Sequence, residues 1–423
     1  MRATAKQMTE RPVLIVGFVT PVLMALAGTE PDGSVVLVEE PDVIRKRNLR
    51  ARLASSTLVR ELVEWEHTRA GAADEFYATH RDLNPVAVVP LIEYATPFVA
   101  RLAERYGLPG ASLGAAQILR DKALLRKVSA AAGLTNPESA TVTCPADVLA
   151  FMRAHPGPVV LKPANRQAAV GTQVIHDPAE VEQAWASCVE QDEGIFVPDQ
   201  PMELRMLAER YVHGPEYSVE MLVRGGRPLF VNVTGKQLYP GPRPVELAHI
   251  VPADIPDDLA ETLGERTHQV VAAVGFVDGI VHCEWIVADG VPYLVECAGR
   301  IAGDGILEII DRAYPVELLR SYFAVMRGEP LPELPRRATG GAVVRFVPME
   351  PGVIDAVLGV DQAREVDGVF LVDIQVGPGH RFAGLRSSWD RAGLVMAVAD
   401  SPAEALQRAE KAAGLVRIEV RST

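Results

Sequence analysis

The chain has 423 residues, 48% hydrophobic and 23% charged, the balance of an ordinary globular protein with apolar material for two or three cores. Its formal net charge of −13, from 42 basic and 55 acidic residues, sets up a field that repels phosphate backbones and anionic membranes, so neither nucleic acid nor a membrane is expected as a partner. Cys144, Cys188, Cys283 and Cys297 form no CxxC pair and no metal-ligand spacing with the histidines, which points to a reduced, cytoplasmic setting.

Residues 13–28, VLIVGFVTPVLMALAG, follow Arg2, Lys6 and Arg11 and contain an Ala-Leu-Ala that resembles a signal-peptidase site. Glu10 and Pro21 weaken that reading, and the run is shorter than the roughly 20 residues of a membrane span. The spacing predicts instead a strand at Val13–Val16, a turn at Gly17, a helix from about Pro21, and a second strand at 35–38 running into Glu39 and Glu40. Buried strands alternating with helices predict a parallel α/β sheet, to which VAVVPLIEY at 86–94 adds a strand. A strand, a glycine and an acid about twenty residues on also suggest a dinucleotide fold, but GxGxxG is missing and a nicotinamide reductase is disfavoured.

From about residue 118 the pattern changes. ILRDKALLRKVSAAAGLTNPES predicts one amphipathic helix closed by Gly133. Strand-rich sequence with glycine turns continues to about residue 300, followed by the helix-like DGILEIIDRAYPVELLRSYFAVMRG. EPLPELPRR at 329–337 carries three prolines and predicts a linker. Beyond it, β-rich runs end in a helix, SPAEALQRAEKAAG, and a short strand.

The hairpin-like VHCEWIVADGVPYLVECAGR at 281–300 holds two carboxylates among apolar residues. A three-residue loop at 288–290 puts His282, Glu284, Leu294 and Glu296 on one face, with His282 opposite Glu296. Val281, Cys283, Trp285, Val287, Tyr293, Val295 and Cys297 then form a core face. Neighbouring carboxylates repel unless a cation lies between them, and hard oxygen ligands suit Mg²⁺ bound together with phosphates; a solvated sheet face is the plainer explanation. VVLKPANRQAAVGTQVI at 159–175 gives a strand ending in Lys162 and a small-residue loop, including Gly171, that can close over a polyphosphate. It is not a Walker A loop, and a lysine ending a strand is commonly an edge charge. In LAERYVHGPEYSVEMLV at 207–223, Glu209 and Glu216 flank a connection through Tyr211 and Val212 whose backbone can read an adenine edge, while a carboxylate accepts ribose hydroxyls. A hairpin with polar ends explains the same residues.

In this order, Lys122, Lys162 with its loop, Glu209, Glu216, Glu284, and Glu296 with Arg300 resemble the ATP-grasp superfamily, and GIVHCEW with VECAGRIAGD is most similar to its carboxylate–amine ligase branch of L-amino-acid ligases and carnosine-synthase-like enzymes. RFVPMEPGVI and RAGLVMAVADSPAEALQRA resemble the C-terminal domain of that branch and of biotin-carboxylase-like proteins. The resemblance implies an α/β and α+β architecture: an N-terminal Rossmann-like domain over 1–117, an ATP-grasp domain over 118–330 and a C-terminal α+β domain over 331–423. It implies ATP, with Mg²⁺ or Mn²⁺, and small-molecule carboxylate and amine substrates, amino acids among them; a homodimer is compatible with it. Lys122 and Lys162 would bind phosphates, Gly171 would belong to the closing loop, and Glu209, Tyr211, Val212 and Glu216 would hold the nucleoside. Glu284 and Glu296 would hold the metal, and Arg300 would stabilise an acyl phosphate. His282 would position the amino acid or deprotonate the amine. VTGKQLYPGPRPVELAHIVP at 233–252 resembles the substrate segment, implicating Lys236, Glu246 and His249, together with Gly303 and Asp304. The superfamily's Glu-x-Asn metal strand ends here in Ala298, which removes one oxygen ligand. The expected activity is ATP-dependent amide or peptide bond formation; the alternatives are a bicarbonate-activating carboxylase and a noncatalytic ATP-binding sensor with eroded metal ligands.

Overall fold

The computed structural model describes residues 11–190, 193–200 and 203–421. Arg2, Lys6 and Glu10, invoked in the signal reading, lie outside the described residues. The apolar run that follows them divides into β1 (Val13–Val16) and a helix, Thr20–Ala27, with Pro21 in its first turn, where a missing N–H costs nothing. With β2 (Val35–Glu39), β3 (Val59–Glu64) and β4 (Ala87–Pro90), β1 forms an all-parallel sheet in the order β3-β2-β1-β4. β1 and β2 are buried along their whole length, as continuous apolar runs in a parallel sheet require. Each fully buried Leu, Ile or Val there stabilises the fold by roughly 1.5–3 kcal/mol. Glu39, at the dinucleotide-type position, serves its own loop: its carboxylate accepts from the N–H groups of Phe18 and Glu40, each at 2.9 Å.

The single helix expected from residue 118 is two, Leu113–Leu119 and Lys122–Ala131. Asp121 stands between them in extended conformation and its carboxylate accepts from Ala123 N–H (2.9 Å) and Leu124 N–H (3.2 Å), so the second helix starts afresh at Lys122. The later helical stretch also divides, into Ile306–Ala313 and Leu318–Met326, because Pro315 lacks the N–H that would continue it. Asp311 then accepts from Leu318 N–H at 2.7 Å and caps the second helix.

β5 (Ser139–Val142), β6 (Val159–Pro163), β7 (Gln173–Ile175) and β8 (Met206–Arg210) make an antiparallel sheet in the order β5-β8-β6-β7. The chain continues through β9 (Glu216–Arg224), β10 (Arg227–Leu238), β11 (Glu246–Val251), β12 (Gly279–Ala288), β13 (Val291–Ala298), β14 (Gly341–Phe346), β15 (Gly352–Leu358), β16 (Val369–Ile374), β17 (Arg381–Phe382), β18 (Gly393–Ala399) and β19 (Arg417–Arg421). Eight of these form one sheet, β13-β12-β9-β10-β11-β14-β18-β16, which runs across residue 330 through the pairing of β11 with β14. β17, β15 and β19 form a small third antiparallel sheet. Residues 329–337 contain neither helix nor strand, and the helix Pro402–Leu415 precedes β19. Among the described residues no helix is long and apolar enough to cross a membrane.

Candidate functional site

The two sheets that follow the parallel one face each other across a cavity of about 700 Å³. Its wall includes Lys122, Lys162, Glu209, Tyr211, Val212, Glu216, Glu246, His249, His282, Glu284, Glu296, Arg300, Gly303 and Asp304. Two of the residues singled out from sequence lie behind that wall. Lys236 has a side chain only 1% exposed, and Gly171 (φ 73°) backs the small-residue loop, where a Cβ would meet Pro163 at 2.9 Å.

The hairpin differs from its predicted register. Its turn has two residues, Asp289 (φ 50°) and Gly290 (φ 77°), so Ala288 pairs with Val291, and a bulge at Val295 then shifts the pairing by one. Two-residue loops with both residues left-handed match the strand twist. The bulge puts Glu284 directly opposite Glu296 and His282 opposite Ala298. Leu294, expected beside the carboxylates, is buried with Trp285, Cys283 and Cys297 in the core under the helix Asp257–Val274, while Val295, expected in the core, lines the cavity.

Each carboxylate has its own cation. Lys122 Nζ is 2.8 Å from Glu296 and also donates to the Arg166 carbonyl at 2.9 Å. Burial disfavours the Lys122 charge, but Glu296 and Glu93 outweigh it and raise its pKa. Glu284 is ion-paired with Lys236 and with His282 Nε2 (3.2 Å); burial opposes its charge, yet Lys236 and His282 hold its carboxyl well below the usual range. The other ring nitrogen of His282, Nδ1, meets Glu220 at 2.9 Å, and Glu220 is itself fixed by Ser218, Asn232 and Thr234. Burial lowers the His282 pKa, but the bonds to Glu220 and Glu284 overcome it and lift the value to about 9. An imidazolium donating from both nitrogens has no lone pair with which to take a proton.

On the opposite wall Glu209 is spent on its neighbours: Arg126 Nε holds one oxygen and Lys162 Nζ the other, both at 2.7 Å. Burial pulls the Lys162 pKa down against the attraction of Glu209. The carboxylate of Glu216, the residue that starts β9, makes no hydrogen bond or ion pair among the described residues, and burial lifts it to about 7. Arg300 is anchored by Glu93 (3.1 Å) and by its bond to the Ile301 carbonyl (2.7 Å); Glu93 also receives Arg120 at 2.6 Å.

At the far end, Asp304 receives Arg391 through both guanidinium nitrogens and His249 Nε2 at 2.9 Å, and burial is again outweighed, by Arg391, so that its carboxyl falls far below the usual range. Arg391, Arg126, Glu93, Glu220 and Ser388 are residues that sequence reasoning missed. Arg126 alone carried a usable signal, since it lies four residues after Lys122 on one helix and so on the same face.

The ATP-grasp domain family matches residues 155–308, and the family described as L-amino acid ligase C-terminal domain 2 matches residues 345–421. An uncharacterized protein, y4rH, of Sinorhizobium fredii is 27% identical over 330 residues, 75% of this chain and 64% of that protein. The alanine–anticapsin ligase of Bacillus subtilis is 25% identical over 243 residues, 54% of this chain and 51% of the ligase. The chain thus spans less than two thirds of the length of these curated relatives. The crystal structure of an L-amino acid ligase from Bacillus licheniformis superposes with a TM-score of 0.78 at 19% identity, covering 97% of this chain and 99% of that one, and so shares the fold.

Proposed function

We infer, since this chain belongs to the ATP-grasp superfamily and to its carboxylate–amine ligase branch, that it is an ATP-dependent ligase forming an amide or peptide bond between small amino-acid-like substrates. One observation carries the reading: Glu284 and Glu296 oppose each other on one hairpin and share a cavity with Lys122, Lys162 and Arg300.

Lys122 and Lys162 would meet the phosphate oxygens of ATP, and Glu216, whose oxygens are uncommitted, would accept the ribose hydroxyls; Glu209 would act through Lys162. Tyr211 and Val212 would border the adenine, and the loop containing Gly171 would cover the phosphates. Glu284 and Glu296 fit Mg²⁺, or Mn²⁺ as an oxygen-binding substitute: among the described residues no group of three His, Cys, Asp or Glu could hold a metal ion, and Mg²⁺ characteristically takes one or two carboxylates, water and substrate phosphates. The ion, when bound, would neutralise charge on those phosphates.

A free carboxylate resists nucleophilic attack. Its oxygen would attack the γ-phosphorus, ADP would leave, and the amine would then displace phosphate from the acyl phosphate, losing its proton as the C–N bond forms. Such transfers need positioning and charge stabilisation, which Arg300, held by Glu93, supplies as a fixed cation. His282 would hold Glu284 and leave proton transfer to another group. Lys236 would hold Glu284 from behind, and Glu246, His249, Gly303 and Asp304 would form the substrate end. The Cys residues are all free thiols, in keeping with a cytoplasmic setting.

The test incubates the protein with ATP, Mg²⁺ and pools of amino acids, reading phosphate release and product mass. Amino-acid-dependent ADP and phosphate with a dehydrated condensation product support the ligase. Bicarbonate-dependent turnover without condensation would replace it with a carboxylase, and ATP binding without turnover in any pool would replace it with a sensor.

A further inference from the structure

One short segment from the C-terminal region touches three walls of the cavity at once. Ser388–Asp390 is a single 3₁₀ turn capped by Ser387. The Ser388 N–H donates to the Ala168 carbonyl (3.2 Å), in the loop over the phosphate end, and Ser388 Oγ donates to Glu246 Oε2 (2.9 Å), at the start of β11 on the substrate end. Arg391 fixes the segment from below: its Nε donates to the Ser388 carbonyl (2.9 Å), its terminal nitrogens grip Asp304, and its guanidinium lies 3.6 Å from the centre of the Phe346 ring. A planar fork satisfied on three sides leaves little freedom to the residue it holds.

The loop contacted by Ser388 is strained. Ala168 (φ 56°) and Ala169 (φ 55°) are consecutive non-glycine residues in the left-handed region, which surrounding contacts must maintain. Ser388 therefore bonds to a backbone that would otherwise relax and, through its hydroxyl, to a carboxylate on the other side of the cavity.

We propose that Ser388, held by the Arg391–Asp304 pair, is a positioning residue that couples the nucleotide loop to Glu246, so that ordering of the loop by nucleotide orients the substrate-end carboxylate. The proposal rests on the nucleotide reading of the cavity given above. Coupling of this kind needs a physical element biased by both sites, and the two bonds of one serine provide it.

Hydrogen exchange on the full chain, with and without Mg²⁺ and ADP, tests it. In the wild type, ADP is expected to slow exchange in peptides covering 165–172, 386–391 and 244–251. Ser388→Ala removes the hydroxyl bond to Glu246 and leaves the longer contacts of Arg391 with Glu246 (3.5 and 3.7 Å), so the response at 244–251 is expected to shrink while those at 165–172 and 386–391 persist. Ser388→Pro also removes the N–H, at the first position of the turn where proline is tolerated, so 386–391 is expected to fall silent. The reductions should be about two- to tenfold in exchange rate, the range that one hydrogen bond commands. An unchanged response at 244–251 in both variants overturns the coupling while leaving the nucleotide reading intact. No slowing at 165–172 in the wild type overturns the nucleotide reading and the proposal with it.

Discussion

Glu284 and Glu296 are register partners across the β12–β13 hairpin, and each is paired to a different buried lysine, Lys236 and Lys122. Two like charges at adjacent positions persist here because each is offset locally, and a divalent ion between them would add to that compensation. Glu296→Gln keeps the shape and an acceptor for Lys122 but removes its nearest counter-charge, leaving Glu93 to offset it, so the fold is expected to survive with a lowered unfolding midpoint. Its ATP turnover is expected to fall by about a hundredfold or more, at least what the loss of a ligand-supporting contact costs. Turnover equal to wild type would remove Glu296 from the metal site.

Glu209 makes a different prediction, because it stands between two buried cations. Glu209→Gln leaves Lys162 and Arg126 without a counter-charge, and unfolding in urea should show a loss of about 3–5 kcal/mol. Lys162→Met leaves Arg126 paired with Glu209, so it is expected to weaken ATP binding with much less loss of stability. The reverse ranking in the two assays would contradict the assignment of Glu209 as support and Lys162 as the phosphate ligand.

Asp311 carries a pH dependence. Burial pushes its carboxyl up to about 6, so in the window from about pH 4, where the unfolded chain loses this proton, to about pH 6 the folded chain holds more protons. Stability from this group therefore falls as pH rises through that window and stays lower above it. Asp311→Asn keeps an acceptor for the Leu318 N–H and is expected to match wild type below about pH 4 and to exceed it at pH 7 by at most about 3 kcal/mol. Equal differences in thermal midpoint at both pH values would contradict this.

The left-handed alanines predict a gain. Ala168→Gly or Ala169→Gly relieves a conformation that costs an L-residue about 1–2 kcal/mol, less the entropy of a glycine, for a net stabilisation of about 0.5–1 kcal/mol. Destabilisation of that size in thermal unfolding would show that the loop gains nothing from relaxed backbone sterics.

The parallel sheet is legible in the sequence because Val13–Val16 and residues 35–38 are continuous apolar runs, as strands covered on both faces require, and helical sequence lies between them. The break before Lys122 is harder to see: Asp121 lies inside a helical apolar period, and its capping role depends on a backbone angle. The hairpin shows why local patterns mislead. A loop one residue shorter than predicted and a one-residue bulge shift the register in the same direction, two residues in all, so the two carboxylates still share a face while Leu294 and Val295 exchange places. The proposed supports of the site, Glu93, Glu220 and Arg391, come from strand neighbours and segments far apart in the chain, where no spacing can record them.

Phosphorylation of a carboxylate by ATP before the amine attacks leaves an isotopic trace in the released phosphate. Amino acid substrates labelled with ¹⁸O in the carboxylate are incubated with the protein, ATP and Mg²⁺, and the released phosphate is weighed by mass spectrometry. One ¹⁸O atom is expected in each phosphate released with a condensed product; condensation with unlabelled phosphate, or with label appearing in AMP, would rule out the acyl phosphate.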